Sequence, residues 1–169
     1  IRGRIVTGVQ TCALPICALI TVRAASLRPG LFRTWTVANA LPHVDYKWHT
    51  MARRWQTPII GELVMALAKP GALAKGLAAA GLPAELAEEE AQHWTPTMKR
   101  AILKLCRAAK NAGAEWDAGV EKRPGAGLIF WGEDDPDVPV WVAEAFHQRT
   151  GAKLLRQAKT GHWSIVERA

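Results

Sequence analysis

The sequence predicts an α/β fold built on a parallel sheet, with an all-helical segment inserted between two of its strands. Runs rich in β-branched, aromatic and aliphatic residues at 33–39, 127–131 and 153–158 are separated by helical texture rather than by hairpin turns, which argues for parallel pairing. Residues 43–112 read as helix after helix with no strand signal. Two short motifs, Gly132-Glu133-Asp134-Asp135-Pro136 and Thr160-Gly161-His162-Trp163, each follow what reads as a buried strand. Open α/β sheets keep their working residues outside the carboxyl ends of strands.

Coherent sequence begins near Ala18. Residues 18–27 read as a buried helix closed by Arg28-Pro29-Gly30, and the first strand follows. In the helical segment, residues 48–54 form a short helix stopped by Thr57-Pro58, residues 61–69 one ended by Pro70-Gly71, and the alanine-rich residues 73–80 one closed by Gly81. Pro83 opens a helix reaching Glu90 to His93. Thr95-Pro96 pairs a hydroxyl cap with proline at the first helical position, and Met98, Ile102 and Leu105 behind it form one apolar stripe. That helix is expected to end between Ala109 and Ala112, with Gly113 beyond. After the turn Arg123-Pro124-Gly125 come a strand at 127–131, a helix at 140–149 stopped by Gly151, a short strand at 153–158, and a last helix at 164–167 capped by Ser164.

Residues 1–17 show neither alternation nor a helical stripe; they resemble a translated sequencing-adapter read, the alternative being a genuine but irregular N-terminus, and they predict no element of the fold. The apolar run at 13–22 behind Arg2 and Arg4 is broken by Pro15, which argues against a signal peptide.

Composition excludes several classes. The chain has 169 residues and is 49% hydrophobic, enough for a real core. Its net charge of +7 is scattered without a dense Lys/Arg block, which describes a solvated basic surface rather than a nucleic-acid footprint. Three cysteines in no CxxC pattern suggest neither a disulfide framework nor structural zinc, so a reducing, cytoplasmic setting is the expectation. No run of ~18 apolar residues offers a membrane span. Trp48, Trp55, Trp94 and Trp116, four of the chain's eight tryptophans, fall in the middle of the chain, as core filler or as the wall of an apolar pocket.

The acidic motif holds four acids in the eight residues from Gly132 to Pro139, without the spacing of a calcium EF-hand. Asp135, flanked by Pro136, is the candidate orienting acid, and Asp134 is the alternative one residue away. His162 is singled out among five histidines by Gly161, which lets backbone approach closely, and by Trp163. An aspartate in this setting fixes an imidazole's tautomer, and the imidazole then serves as general base. No two histidines show metal-ligand spacing.

Together these residues resemble the C-terminal half of the α/β-hydrolase superfamily over residues 18–169. Gly132-x-x-Asp135-Pro136 with Val138-Pro139 is similar to that family's acid loop, and Gly161-His162-Trp163 with Glu167-Arg168 to its histidine loop. Asp135 before His162 matches the order nucleophile, acid, histidine. The stretch from Trp48-His49 through Ala52-Arg53, Trp55 and Thr57-Pro58 to Gly61-Glu62 resembles caps of epoxide-hydrolase-like and haloalkane-dehalogenase-like members.

The resemblance implies a partial α/β-hydrolase fold: core at 18–42 and 113–169, and a helical cap at 43–112. It implies Asp135 and His162 as catalytic residues and Trp48, Trp55, Trp94 and Trp163 as substrate-binding residues, with no cofactor and no metal. The family's nucleophile, serine or aspartate, sits on a Gly-x-Nuc-x-Gly elbow, expected here just before Ala18. That stretch reads Cys12-Ala13-Leu14-Pro15-Ile16-Cys17 without flanking glycines; Cys17 is a conceivable substitute, and Ser26 lies too deep in the helix. The expected function is hydrolysis of an ester, epoxide or haloalkane, by a triad whose nucleophile is missing from this sequence. The expected partner is a small apolar substrate, without nucleic acid or membrane and with homo-oligomerisation open. By itself the chain is expected to be inactive and poorly stable. The alternative is a non-catalytic small-molecule-binding protein of the same fold.

Overall fold

A computed structural model describes residues 16–29, 32, 34–119 and 126–166. Most of the adapter-like segment, the strand start at Arg33, the turn at Arg123-Pro124-Gly125, and Glu167-Arg168 lie outside the described residues.

Helix α1 (Ile16–Leu27) leads into β1 (Thr34–Ala38). Six helices follow: α2 (Thr50–Gln56), α3 (Ile60–Leu67), α4 (Pro70–Ala79), α5 (Ala84–Gln92), α6 (Pro96–Ala108) and α7 (Ala112–Trp116). The chain returns through β2 (Ala126–Gly132), α8 (Val140–Thr150) and β3 (Lys153–Gln157). The strands form one parallel sheet in the order β1-β2-β3, with Val37 opposite Ile129 and Ile129 opposite Leu154.

One sheet face carries the core. Trp35 and Val37 of β1 and Ile129 and Trp131 of β2 are buried together with Val22 of α1 and Val142, Ala143 and Phe146 of α8. Trp35 meets Phe146 edge-on at 6.1 Å and packs against Gly127, where a Cβ would come within 2.0 Å of the indole. Glycine at 127 is therefore a packing requirement. Helix α8 stops at Gly151, whose φ of 68° is the left-handed conformation glycine adopts without strain.

The helical segment has a second, smaller core: Met65, Ile102, Leu103 and Cys106, with Trp55, Trp94 and Met98 packed against it. The buried stripe of α6 is thus rotated from the expected one. Leu103 and Cys106 point inward, while Leu105 is 37% exposed. The last carbonyls of α3 are satisfied from α6 and its approach: Lys99 Nζ donates to Met65 O and Ala68 O at 2.7 and 2.9 Å, and Trp94 Nε1 to Ala68 O at 3.0 Å. A cation at a helix C-terminus also suits the helix dipole.

Thr95 Oγ1 accepts from Met98 N at 3.2 Å, so the expected cap is in place. Thr95→Ala is expected to cost about 1 kcal/mol, measured as a lowered denaturation midpoint with unchanged slope.

Three local expectations are corrected. Helix α6 ends at Ala108 with Ala109 as its C-cap, as expected, but a separate helix α7 follows that the sequence does not predict, with Gly113 inside it. There a Cβ would fall 2.4 Å from His43 O, so this glycine allows two backbones to touch rather than ending a helix. Strand β3 is not buried: it pairs only with β2 among the described residues, and Leu155 is 37% exposed. Residues 162–166 are turns, not a capped helix. Ser164, the expected cap, donates its hydroxyl to a side chain across the site, and Glu167 lies outside the described residues.

Candidate active site

The site lies where the chain leaves the carboxyl ends of β1, β2 and β3. Beyond Gly132 the loop after β2 stays bonded to the loop after β3, with Glu133 N donating to Gln157 O and Asp134 N to Thr160 O, both at 2.9 Å. The two backbones approach so closely at Gly132 that a Cβ there would lie 2.2 Å from Gly161 O. Trp131, fully buried, donates its indole N–H to Val138 O at 3.1 Å and ties the far side of the acidic loop to the core.

This folding brings Asp135 to His162 across 27 positions of chain. His162 Nδ1 lies 2.9 Å from Asp135 Oδ2. Because a carboxylate only accepts, Nδ1 carries the proton and the imidazole is held as the Nδ1–H tautomer. Asp134 is exposed and does not share in this contact.

Asp135 is 6% exposed, and four N–H groups converge on its carboxylate. Oδ1 accepts from Asp137 N at 2.8 Å and Val138 N at 3.0 Å; Oδ2 accepts from His162 and from Asn39 Nδ2 at 2.8 Å. Burial works to raise the acid's pKa. The hydrogen bond and charge of His162, the Val138 backbone and the Asn39 amide outweigh it and hold the carboxyl below its ordinary value. A depressed folded-state pKa contributes stability above the unfolded value near 3.8, and that stability is lost as pH falls through the folded one. The melting temperature is therefore expected to fall on acidification below about pH 4, and to do so less steeply in Asp135→Asn.

Asn39 was not singled out by the sequence, nor was Ser164 as a member of this site. Asn39 immediately follows β1 at φ 51° and is 5% exposed. Ser164 Oγ donates to its Oδ1 at 2.5 Å, and its Nδ2 also lies 3.4 Å from Gly161 O. The signal was weak: an asparagine after a strand is an ordinary turn residue.

A second histidine stands beside the pair. His49, just before α2, has Nδ1 3.5 Å from Asp137 Oδ1. Burial lowers its pKa, Asp137 opposes that, and His162 adds to it, so His49 favours the neutral form. Tyr46 donates its hydroxyl to Asp137 O at 2.9 Å, and burial pushes its pKa up to about 12. Ligand atoms of Asp135, Asp137 and His162 lie within 4.8 Å of one another. The four N–H donors on Asp135 already occupy its lone pairs, so the cluster is built as a hydrogen-bonded network.

The tryptophans separate. Trp163 meets the His162 ring edge-on at 5.7 Å. Trp48 donates to Lys110 O at 3.0 Å and borders a cavity of about 160 Å³ that Leu19, Leu41, Tyr46, His49 and Val138 also line. Trp55 and Trp94 are not brought to this cavity; they fill the core of the helical segment. Trp116 ends α7, half-buried.

Cys17, near the start of α1, is disulfide-bonded, so its sulfur is no free nucleophile. Ser26 donates to Arg23 O within the helix. Cys106 is buried, and burial pushes its thiol to about 11, so it is inert. Among the described residues no helix is long and apolar enough to cross a membrane.

The fold is that of α/β hydrolases. A 2-hydroxy-6-oxo-6-phenylhexa-2,4-dienoate hydrolase from a Rhodococcus strain superposes with a TM-score of 0.66 at 16% identity, over 89% of this chain and 56% of that one. An α/β hydrolase fold protein from Burkholderia ambifaria gives 0.68 at 20% identity, over 89% and 57%. An α/β hydrolase enzyme from a Medee basin deep-sea metagenome library gives 0.64 at 18% identity, over 90% and 57%. The chain thus spans little more than half the length of these structures. No family model and no curated protein matches the sequence.

Proposed function

We propose that this chain is the acid–histidine part of an α/β hydrolase acting on a small, largely apolar ester, epoxide or haloalkane. The observation that carries the reading is the 2.9 Å contact between His162 Nδ1 and a buried carboxylate whose other positions are already filled. With the proton held on Nδ1, Nε2 is the basic nitrogen. It takes a proton from a nucleophile or a hydrolytic water, and Asp135 stabilises the imidazolium that forms. A serine nucleophile would be deprotonated by His162 directly; an aspartate would form an alkyl ester that His162-activated water then opens. In this reading the nucleophile lies outside the present sequence.

Residues 43–112 act as the cap. Leu19, Leu41 and Val138 give the cavity beside His49 apolar walls, with Trp48 and Tyr46 also lining it. Trp48 and Trp163 are the substrate-facing tryptophans of this proposal, while Trp55 and Trp94 hold the cap together.

The test is turnover of nitrophenyl esters, epoxides and haloalkanes by the chain extended upstream of residue 18 to the length of the structures it resembles. Turnover of one class is expected, with His162→Ala lowering kcat by about 10⁴-fold. Absence of turnover on all three, or a His162→Ala variant equal to its parent, would sink the proposal. Retained ligand binding in that case would favour a non-catalytic binding protein.

A further inference from the structure

We propose that Asn39 is the positioning residue that joins the acidic loop to the histidine loop, setting the plane of the Asp135 carboxylate and thereby the tautomer of His162. The inference rests on Asp135 and His162 forming a working pair, and its readout is the imidazole proton rather than turnover. A failure of the hydrolase reading therefore leaves its outcome interpretable.

Three contacts converge on one side chain. Asn39 Nδ2 donates to Asp135 Oδ2 at 2.8 Å, the same oxygen that receives His162 Nδ1–H. It also approaches the carbonyl of Gly161, the residue before His162, at 3.4 Å. Asn39 Oδ1 accepts from Ser164, two residues after His162, at 2.5 Å. The amide thus grips the acid with its nitrogen end and both flanks of the histidine between its two ends.

Ser164 is 1% exposed, so the hydroxyl that fixes the amide's orientation is shielded from water. A flipped amide would set Oδ1 against Oδ2, acceptor against acceptor, and would present its N–H₂ to the serine. Oδ1 of Asp135 is anchored by two backbone N–H groups. Asn39 acts on the remaining freedom, the rotation of Oδ2 about that anchor.

The φ of 51° at this position offers a simpler account, because asparagine adopts left-handed backbone more readily than most residues. Backbone need and side-chain role are separable. Glycine serves the backbone at least as well and lacks the amide. Aspartate keeps the shape and the Ser164 contact but replaces the donor with an acceptor facing Oδ2. Among the described residues the titratable groups around position 39 are Asp135 and His162, with Asp137, His49 and Tyr46 beyond them.

The experiment uses the chain extended upstream of residue 18, as in the turnover test, labelled with ¹⁵N-histidine. In the parent, a single Nδ1–H tautomer with a downfield, slowly exchanging proton is expected for His162. In Asn39→Gly that proton signal is expected to be lost and the tautomers mixed, while the chain still melts cooperatively. In Asn39→Asp two facing carboxylates must share a proton, which raises one folded-state pKa. A raised pKa contributes stability at low pH that is lost as pH rises. The melting temperature of Asn39→Asp should therefore drop relative to the parent between about pH 5 and pH 8. An unchanged Nδ1–H signal in folded Asn39→Gly, or a pH-independent gap between Asn39→Asp and the parent, would overturn the assignment. Should Asn39→Gly not fold, Ser164→Ala decides by the same signal: mixed tautomers support the role and an unaltered proton refutes it.

Discussion

If the proposed hydrolase reading holds, Asp135→Asn is expected to lower the activity of the extended protein by about 10⁴-fold and to destabilise that protein by about 3–5 kcal/mol. The size follows from the four donors around a carboxylate that makes nothing but acceptances. If the new amide's NH₂ takes the place of Oδ2, it faces Asn39 Nδ2 and His162 Nδ1. If it takes the place of Oδ1, it faces the backbone N–H groups of Asp137 and Val138. Every orientation sets a buried donor against two others, and each unsatisfied group costs about 1–3 kcal/mol. The cheapest relief is for His162 to move its proton to Nε2 and accept at Nδ1. That tautomer cannot take a proton at Nε2, so the same change that rescues the fold removes the basic nitrogen on which the proposed function depends. A denaturation midpoint within about 0.5 kcal/mol of the parent, with the Nδ1–H proton intact, would show that the four contacts do not hold the site.

The contact between Asp135 and His162 could be anticipated from the chain because both residues sit on motifs of local meaning. Asp135 and His162 each follow a strand within a few residues, and a strand end is visible as a change from apolar run to Gly and acid. Asn39 was not visible, since its role depends on a partner 96 positions away. A serine before an apolar run reads as a helix cap in sequence, and the donation of its hydroxyl to Asn39, 125 positions away, leaves no local signal. The same limit applies to packing. Periodicity marked α6 as amphipathic, but whether Leu105 or Cys106 turned inward depended on where α2 and α3 came to rest. Trp55 and Trp94 are equally ambiguous by sequence, because a large ring fills a core or walls a cavity with the same composition. The strands of the sheet, by contrast, were legible almost to the residue, since 126–132 and 153–157 are bounded by residues that punctuate chain direction locally.

Gly132→Ala is expected to cost about 3 kcal/mol or more, a fall of roughly 6–12 °C in melting temperature for a chain of this size. The reason is the identity of the obstructing atoms. A methyl group at 132 would stand 2.2 Å from Gly161 O, 2.5 Å from Thr160 O and 2.9 Å from Thr160 C. These are backbone atoms of the loop that carries His162, so no rotamer change can clear them. The loops must part, and the first bonds to go are Asp134 N to Thr160 O and His162 Nδ1 to Asp135 Oδ2. Gly76→Ala supplies the contrast. That glycine lies within α4 with nothing within 4 Å of the new Cβ, and alanine there is expected to stabilise by about 0.5–1 kcal/mol. Two glycine-to-alanine changes thus differ in sign because one Cβ enters open space and the other enters the seam between the acid and the base. If Gly132→Ala melted like its parent, the close approach of the two loops, and with it the geometry of the pair, would be refuted.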